Sequence, residues 1–113
     1  MAHPYKTYTI PQFVEEEKML KEKLRQAKIE KSKNHIAIYT RKIEIVRSFM
    51  LNPADFQQGD LFELIEDPDH LFEINEIKGV FAWGYKINKV TGERSLEEEG
   101  FLLAMLGQKT KYE

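Results

Sequence analysis

The apolar residues of this chain change their spacing once, at Asn52-Pro53, and that change constrains the fold more than any motif does. Up to Leu51 they recur every three or four positions, the period of a helix that buries one stripe. After Gly59 they alternate, the period of a strand that buries one face. The expectation is an α+β fold divided into a helical part, residues 1–51, and a strand part, residues 52–113. A chain of 113 residues holds one compact domain or two very small halves, and no Gly/Ser-rich linker separates them. The two parts are therefore expected to pack on each other.

In the first part, Thr9 offers a capping hydroxyl, Pro11 suits a first helical turn, and Gln12 stands three residues after Thr9, the spacing of a capping box. A helix is predicted to begin near Ile10, with Phe13, Leu20, Leu24 and Ala27 on one face and Glu17 placed to pair with Lys21. The polar segment 31–34 reads as the turn of a hairpin, capped by Ser32 or Asn34. No Gly or Pro stands there, so one helix of about forty residues is the competing reading. The second helix, residues 35–51, carries Ile36, Tyr39, Ile43, Val46 and Met50 on one seam and Ile38, Ile45 and Phe49 on the next. An apolar arc that wide is expected to meet the first helix along one edge and the strand part along the other.

The strand part reads as a series of short antiparallel strands. Residues 61–66 form the first, 67–70 (Asp-Pro-Asp-His) have the chemistry of a type I turn, and 71–77 resume the alternation. Lys78-Gly79 turns the chain into 80–87, the most strand-like segment, and 94–106 ends in a further strand or a short helix. Strands this short and this closely linked fit a small closed or nearly closed β-barrel of SH3-like size. Along 80–87, Phe81, Trp83 and Tyr85 share one face, while Val80, Ala82 and Gly84 share the other. Pointing inward, the three aromatic residues fill the barrel; pointing outward, they make a platform for a base, a peptide or a ligand. Gly84, between two aromatic residues, marks a bulge or a close backbone approach.

The net charge of −2 conceals a division. Residues 1–51 hold eleven Lys/Arg and six Asp/Glu, a balance of +5, whereas residues 52–113 hold six and thirteen, a balance of −7. Lys18, Lys21, Arg25 and Lys28 repeat at helical spacing beside the apolar seam of the first helix, a stripe able to follow a phosphate backbone or an acidic partner. Glu15, Glu22 and Glu30 dilute its field, which favours a solvated face.

The run Gly79-Val80-Phe81-Ala82-Trp83-Gly84-Tyr85, with Leu51-Asn52-Pro53, Phe56 and Gly59 before it, resembles the YfhH-like family of small uncharacterised proteins from low-GC Gram-positive bacteria. The resemblance runs from the first helix to about Met105; the loop 88–94 and the tail after Gly107 are individual to this chain. It implies a helical N-terminal part joined to an SH3-like barrel and a setting in transcriptional regulation. It brings no catalytic residues to carry across.

The chemistry of most enzymes is missing. The glycines at 59, 79, 84, 92, 100 and 107 begin no phosphate-binding loop, and Ser32, Ser48 and Ser95 stand in no nucleophile elbow. His3, His35 and His70 share no metal-ligand spacing; Asp67, Asp69 and His70 come nearest to a motif and read as turn residues. Glu97, Glu98 and Glu99 are expected to face water. No cofactor, metal or enzymatic activity is expected. The longest apolar run, 101–106, is six residues, far short of a bilayer span, and no signal-like segment precedes Thr9, so a cytoplasmic protein is expected. The leading expectation of function is a binding module that grips a protein partner through Trp83, Tyr85 and Phe81. The alternative is a nucleic-acid-binding regulator that uses Lys18, Lys21, Arg25 and Lys28. A homo-oligomer formed through the second helix is the third reading.

Overall fold

A computed structural model describes Tyr5 and residues 7–110, and the chain divides into two compact units between Leu51 and Asn52. The first unit is a helical hairpin of α1 (Ile10–Ile29) and α2 (Lys33–Met50). The capping box at its start forms as the spacing predicts: the Gln12 amide N–H donates to Thr9 Oγ1 at 3.4 Å, and the Thr9 N–H donates to Gln12 Oε1 at 2.7 Å. Phe13, Leu20 and Ala27 are buried along one stripe of α1, and Ile43 and Val46 are buried on α2. Phe13 stacks on Phe49 with 5.7 Å between ring centres, and Tyr5 meets both rings edge-on. Glu17 ties the two helices together by pairing with both Lys21 and Arg47.

Two helices form here, not one long one, because α1 ends in a Schellman closure made without glycine. The Ser32 N–H donates to the Ala27 carbonyl at 3.0 Å and the Lys31 N–H to the Lys28 carbonyl at 3.2 Å. Lys31 takes the left-handed conformation, φ 57°, that usually falls to glycine. Ser32 caps α2 by position, and its hydroxyl lies 2.9 Å from His35 Nδ1.

The second unit is one five-stranded antiparallel sheet built from β1 (Leu61–Leu64), β2 (Asp67–Lys78), β3 (Phe81–Asn88), β4 (Glu99–Leu102) and β5 (Leu106–Thr110), in the order β4-β3-β2-β1-β5. A 3-10 turn, Pro53–Asp55, precedes it and a second, Leu103–Met105, links β4 to β5. The expected barrel closure is corrected: β4 and β5 are the two edges and do not pair with each other, so the sheet is open. The last segment is neither a single strand nor a helix but β4, a 3-10 turn and β5, the last of which begins where the apolar run ends.

The reading of 67–70 as a turn is also corrected. Leu64 pairs with Asp67, so the chain reverses at Ile65-Glu66 and Asp67 opens β2. The register then shifts between Glu63 and Leu64, and Pro68 falls inside that irregular stretch, where no ladder N–H is required of it. The β2–β3 hairpin turns on Gly79-Val80, with Gly79 at φ 60°, as a tight two-residue turn demands. Phe62, Leu64, Phe72, Ile74, Ala82, Leu103 and Leu106 form the core, with Phe56, Ile77 and Phe101 against it. Phe72 and Ile74 are almost wholly shielded, and burial of this kind contributes about 1.5–3 kcal/mol per side chain.

Candidate functional site

Strand β3 buries its small residues. Ala82 is wholly buried within the core, and the alternation that turns it inward turns Phe81, Trp83 and Tyr85 to the other sheet face, where all three are half-buried. The outward alternative is the one the strand adopts, and the reason lies in the neighbouring backbone. A side-chain carbon on Gly84 would stand 1.9 Å from the Glu73 carbonyl oxygen and 3.1 Å from the Asn75 nitrogen, because β2 bulges between Ile74 and Glu76. At Gly84 the inward row of β3 has no space for bulk, and that residue marks the close approach that its place between two aromatic residues predicted.

On the outward face the Trp83 indole lies over Gly100 of β4, close enough that a methyl group there would come within 2.9 Å of three ring atoms. Tyr85 is covered by Arg94, whose guanidinium carbon is 4.3 Å from the ring centre. Arg94 also pairs with Glu73 at 2.8 Å, the residue opposite Tyr85 across the β2–β3 ladder. Phe81 pairs with Lys78 and Leu102 at the hairpin end of the strand. The three aromatic residues form one row, with a charged pair at one end.

The basic stripe of α1 is largely self-neutralised. Lys18 lies 3.9 Å from Glu15, Lys21 lies 3.8 Å from Glu17, and Arg25 makes a two-point pair with Glu22. Lys28 stands in the last turn, where the helix dipole favours a cation.

A second polar group lies at the far end of β3, on the core side, and sequence reasoning did not find it. Lys86 is opposite Phe72 and continues the inward row of Ala82 and Gly84. Its ammonium is 3.1 Å from Asp67 Oδ2, 4.0 Å from Glu99 Oε2 and 5.6 Å from the centre of the Phe101 ring. Asp67 also lies 3.1 Å from His70 Nδ1. The hydrogen bonds from His70 and then Lys86 hold the Asp67 carboxyl below the ordinary carboxylate range. Lys86 borders two clefts: one of about 250 Å³ lined by Leu64, Glu66, Asp67, Phe101 and Met105, and one of about 210 Å³ toward His70, Asn88 and Arg94. The signal available in the sequence was a lysine at an inward position of a strand, two residues beyond Gly84.

Among the described residues no group of three or more His, Asp or Glu side chains is placed to hold a metal ion, and no helix is long and apolar enough to cross a membrane. Asp67 and His70 do meet, as strand residues and not as a turn; His3 lies outside the described residues.

Residues 3–107 match the model of a family described as Protein of unknown function (DUF1811). The chain belongs to the DUF1811 family. It is 35% identical over 78 residues to the Uncharacterized protein YfhH of Bacillus subtilis (strain 168), a match that covers 69% of this chain and 74% of that protein. The resemblance carried by the Gly79–Tyr85 run is thus to its own family. Membership brings no ligand, substrate or partner, so the functional reading rests on the two sheet faces.

Proposed function

We propose that this DUF1811 protein is a non-catalytic binding module, acting in a regulatory setting, whose sheet grips a protein partner through Trp83, Tyr85 and Phe81. The observation that carries this reading is the inverted use of β3. A strand serving packing alone would bury its aromatic side chains, each able to bury 150–250 Å². This one buries Ala82 and Gly84 and leaves three large rings part-open on the opposite face. A row of half-buried aromatic residues beside an arginine has the composition that recurs at the energetic centres of protein interfaces. The return of β5 to β1 after a four-strand meander supports reading the sheet as the open form of an SH3-like roll. The alternative, phosphate binding by Lys18, Lys21, Arg25 and Lys28, has less support, because three of the four already face a glutamate.

Trp83 is the only tryptophan in the chain, so its fluorescence reports on this face without ambiguity. Acrylamide is expected to quench the free protein readily. Affinity capture from a bacterial lysate, run with wild type and with a folded Trp83→Ala variant, is expected to retain a partner on the wild type alone. Identical recovery on both, together with an indole inaccessible to acrylamide, would end the reading.

A further inference from the structure

We infer that the cleft beside Lys86 is a recognition site for an alkylguanidinium group, and that Lys86 is the tethered cation that occupies its charged end when no ligand is present. This site lies on the sheet face opposite Trp83 and does not depend on partner capture there.

The charges decide the sign of the ligand. Glu66 and Asp67 line the cleft together with Lys86, and Glu99 lies 4.0 Å from that ammonium, so three carboxylates surround the site against one ammonium and the His70 ring that shares Asp67. Asp67 is held in its charged form, and an anion entering here meets net negative charge. The walls decide the rest. Leu64, Phe101 and Met105 offer apolar surface for an alkyl chain, and Lys86 itself shows the attraction of a cation to the Phe101 ring, 5.6 Å from its centre. A cleft of about 250 Å³ is far larger than the roughly 10–15 Å³ that admits one water, and has room for one long side chain. Guanidinium suits the site better than ammonium, since its planar fork can make paired hydrogen bonds to carboxylates, whereas the Lys86 ammonium reaches Asp67 at 3.1 Å and stands 4.0 Å from Glu99. Such a group reaches the cleft either on an arginine of a protein or on a small free molecule.

The test uses the full-length 15N-labelled protein, with butylguanidinium and N-acetyl-arginine-methylamide as probes and butylurea and acetate as controls. Both guanidinium probes are expected to cause saturable amide shifts at Leu64, Asp67, Phe101 and Met105, and the controls none. Lys86→Met keeps the alkyl chain and removes the internal competitor, so the guanidinium probes are expected to bind it threefold or more tighter. Asp67→Asn is expected to weaken binding tenfold or more, with Glu66→Gln as the second variant should that protein misfold. Tighter binding of the arginine amide assigns the site to a protein arginine; equal or tighter binding of butylguanidinium assigns it to a free cation. The inference is overturned by absence of saturable shifts in wild type and Lys86→Met alike, by weaker binding to Lys86→Met, or by acetate binding in place of guanidinium. Because the readout is a small cation on the opposite face, failure of the capture through Trp83 leaves this result unaffected, and the reverse holds too.

Discussion

A side-chain carbon on Gly84 would run into the backbone of Glu73 and Asn75 in β2, which cannot rotate away. Gly84→Ala is therefore expected to cost about 3 kcal/mol or more, the upper end of what overpacking a core costs. Loss of a cooperative thermal transition in the sheet unit, followed by circular dichroism, would show it; a variant that melts within a few degrees of wild type would contradict the close approach. Asp67 makes a prediction about pH. Its folded carboxyl titrates below the ordinary value because His70 and Lys86 hydrogen-bond to the charged form, so its contribution is present above the unfolded value of about 3.9 and is lost as pH falls through the folded one. The stability gap between wild type and Asp67→Asn, followed by urea denaturation, is expected to be present above about pH 4 and to close as the pH falls further. A gap that stays constant to pH 2.5 would remove Asp67 from the pairing.

At the scale of elements, the helical hairpin and the sheet differ in how openly their sequences announce them. Thr9, Pro11 and Gln12 mark the start of α1 because capping is local chemistry among neighbours. Its end carries no comparable mark: Lys31 holds the left-handed position at φ 57°. Lys31→Gly should relieve that conformation and raise stability by about 0.5–1 kcal/mol in chemical denaturation, with the helical signal unchanged. A destabilised variant would mean that Lys31 contributes a contact worth more than the strain. In the sheet, alternation located β2 and β3, whereas Asp67-Pro68 imitated a turn and β5, with Gly107, Gln108 and Lys109 in its sequence, lacked the apolar pattern of a strand. Lys86 was overlooked for a related reason: its partners lie in β2 and β4, remote along the chain.

At the scale of the whole molecule, a net charge of −2 and the ion pairs along α1 set the electrostatics. Mixed-sequence DNA and RNA are expected to show no measurable retention at 150 mM salt and only weak binding at 20 mM. Tight binding with a steep salt dependence, reduced by Lys18→Gln and Arg25→Gln, would instead favour the nucleic-acid reading of the basic stripe. By itself the sequence determined the α+β class, the family, and the faces of α1 and β3, because these follow from spacing and local chemistry that a linear chain displays. Only the tertiary structure decided that the sheet stays open, that β3 turns its aromatic row away from its core, and that Lys86 meets Asp67 at a cleft. Each of these depends on which distant backbone comes close, and the period of a strand is the same whichever face is buried.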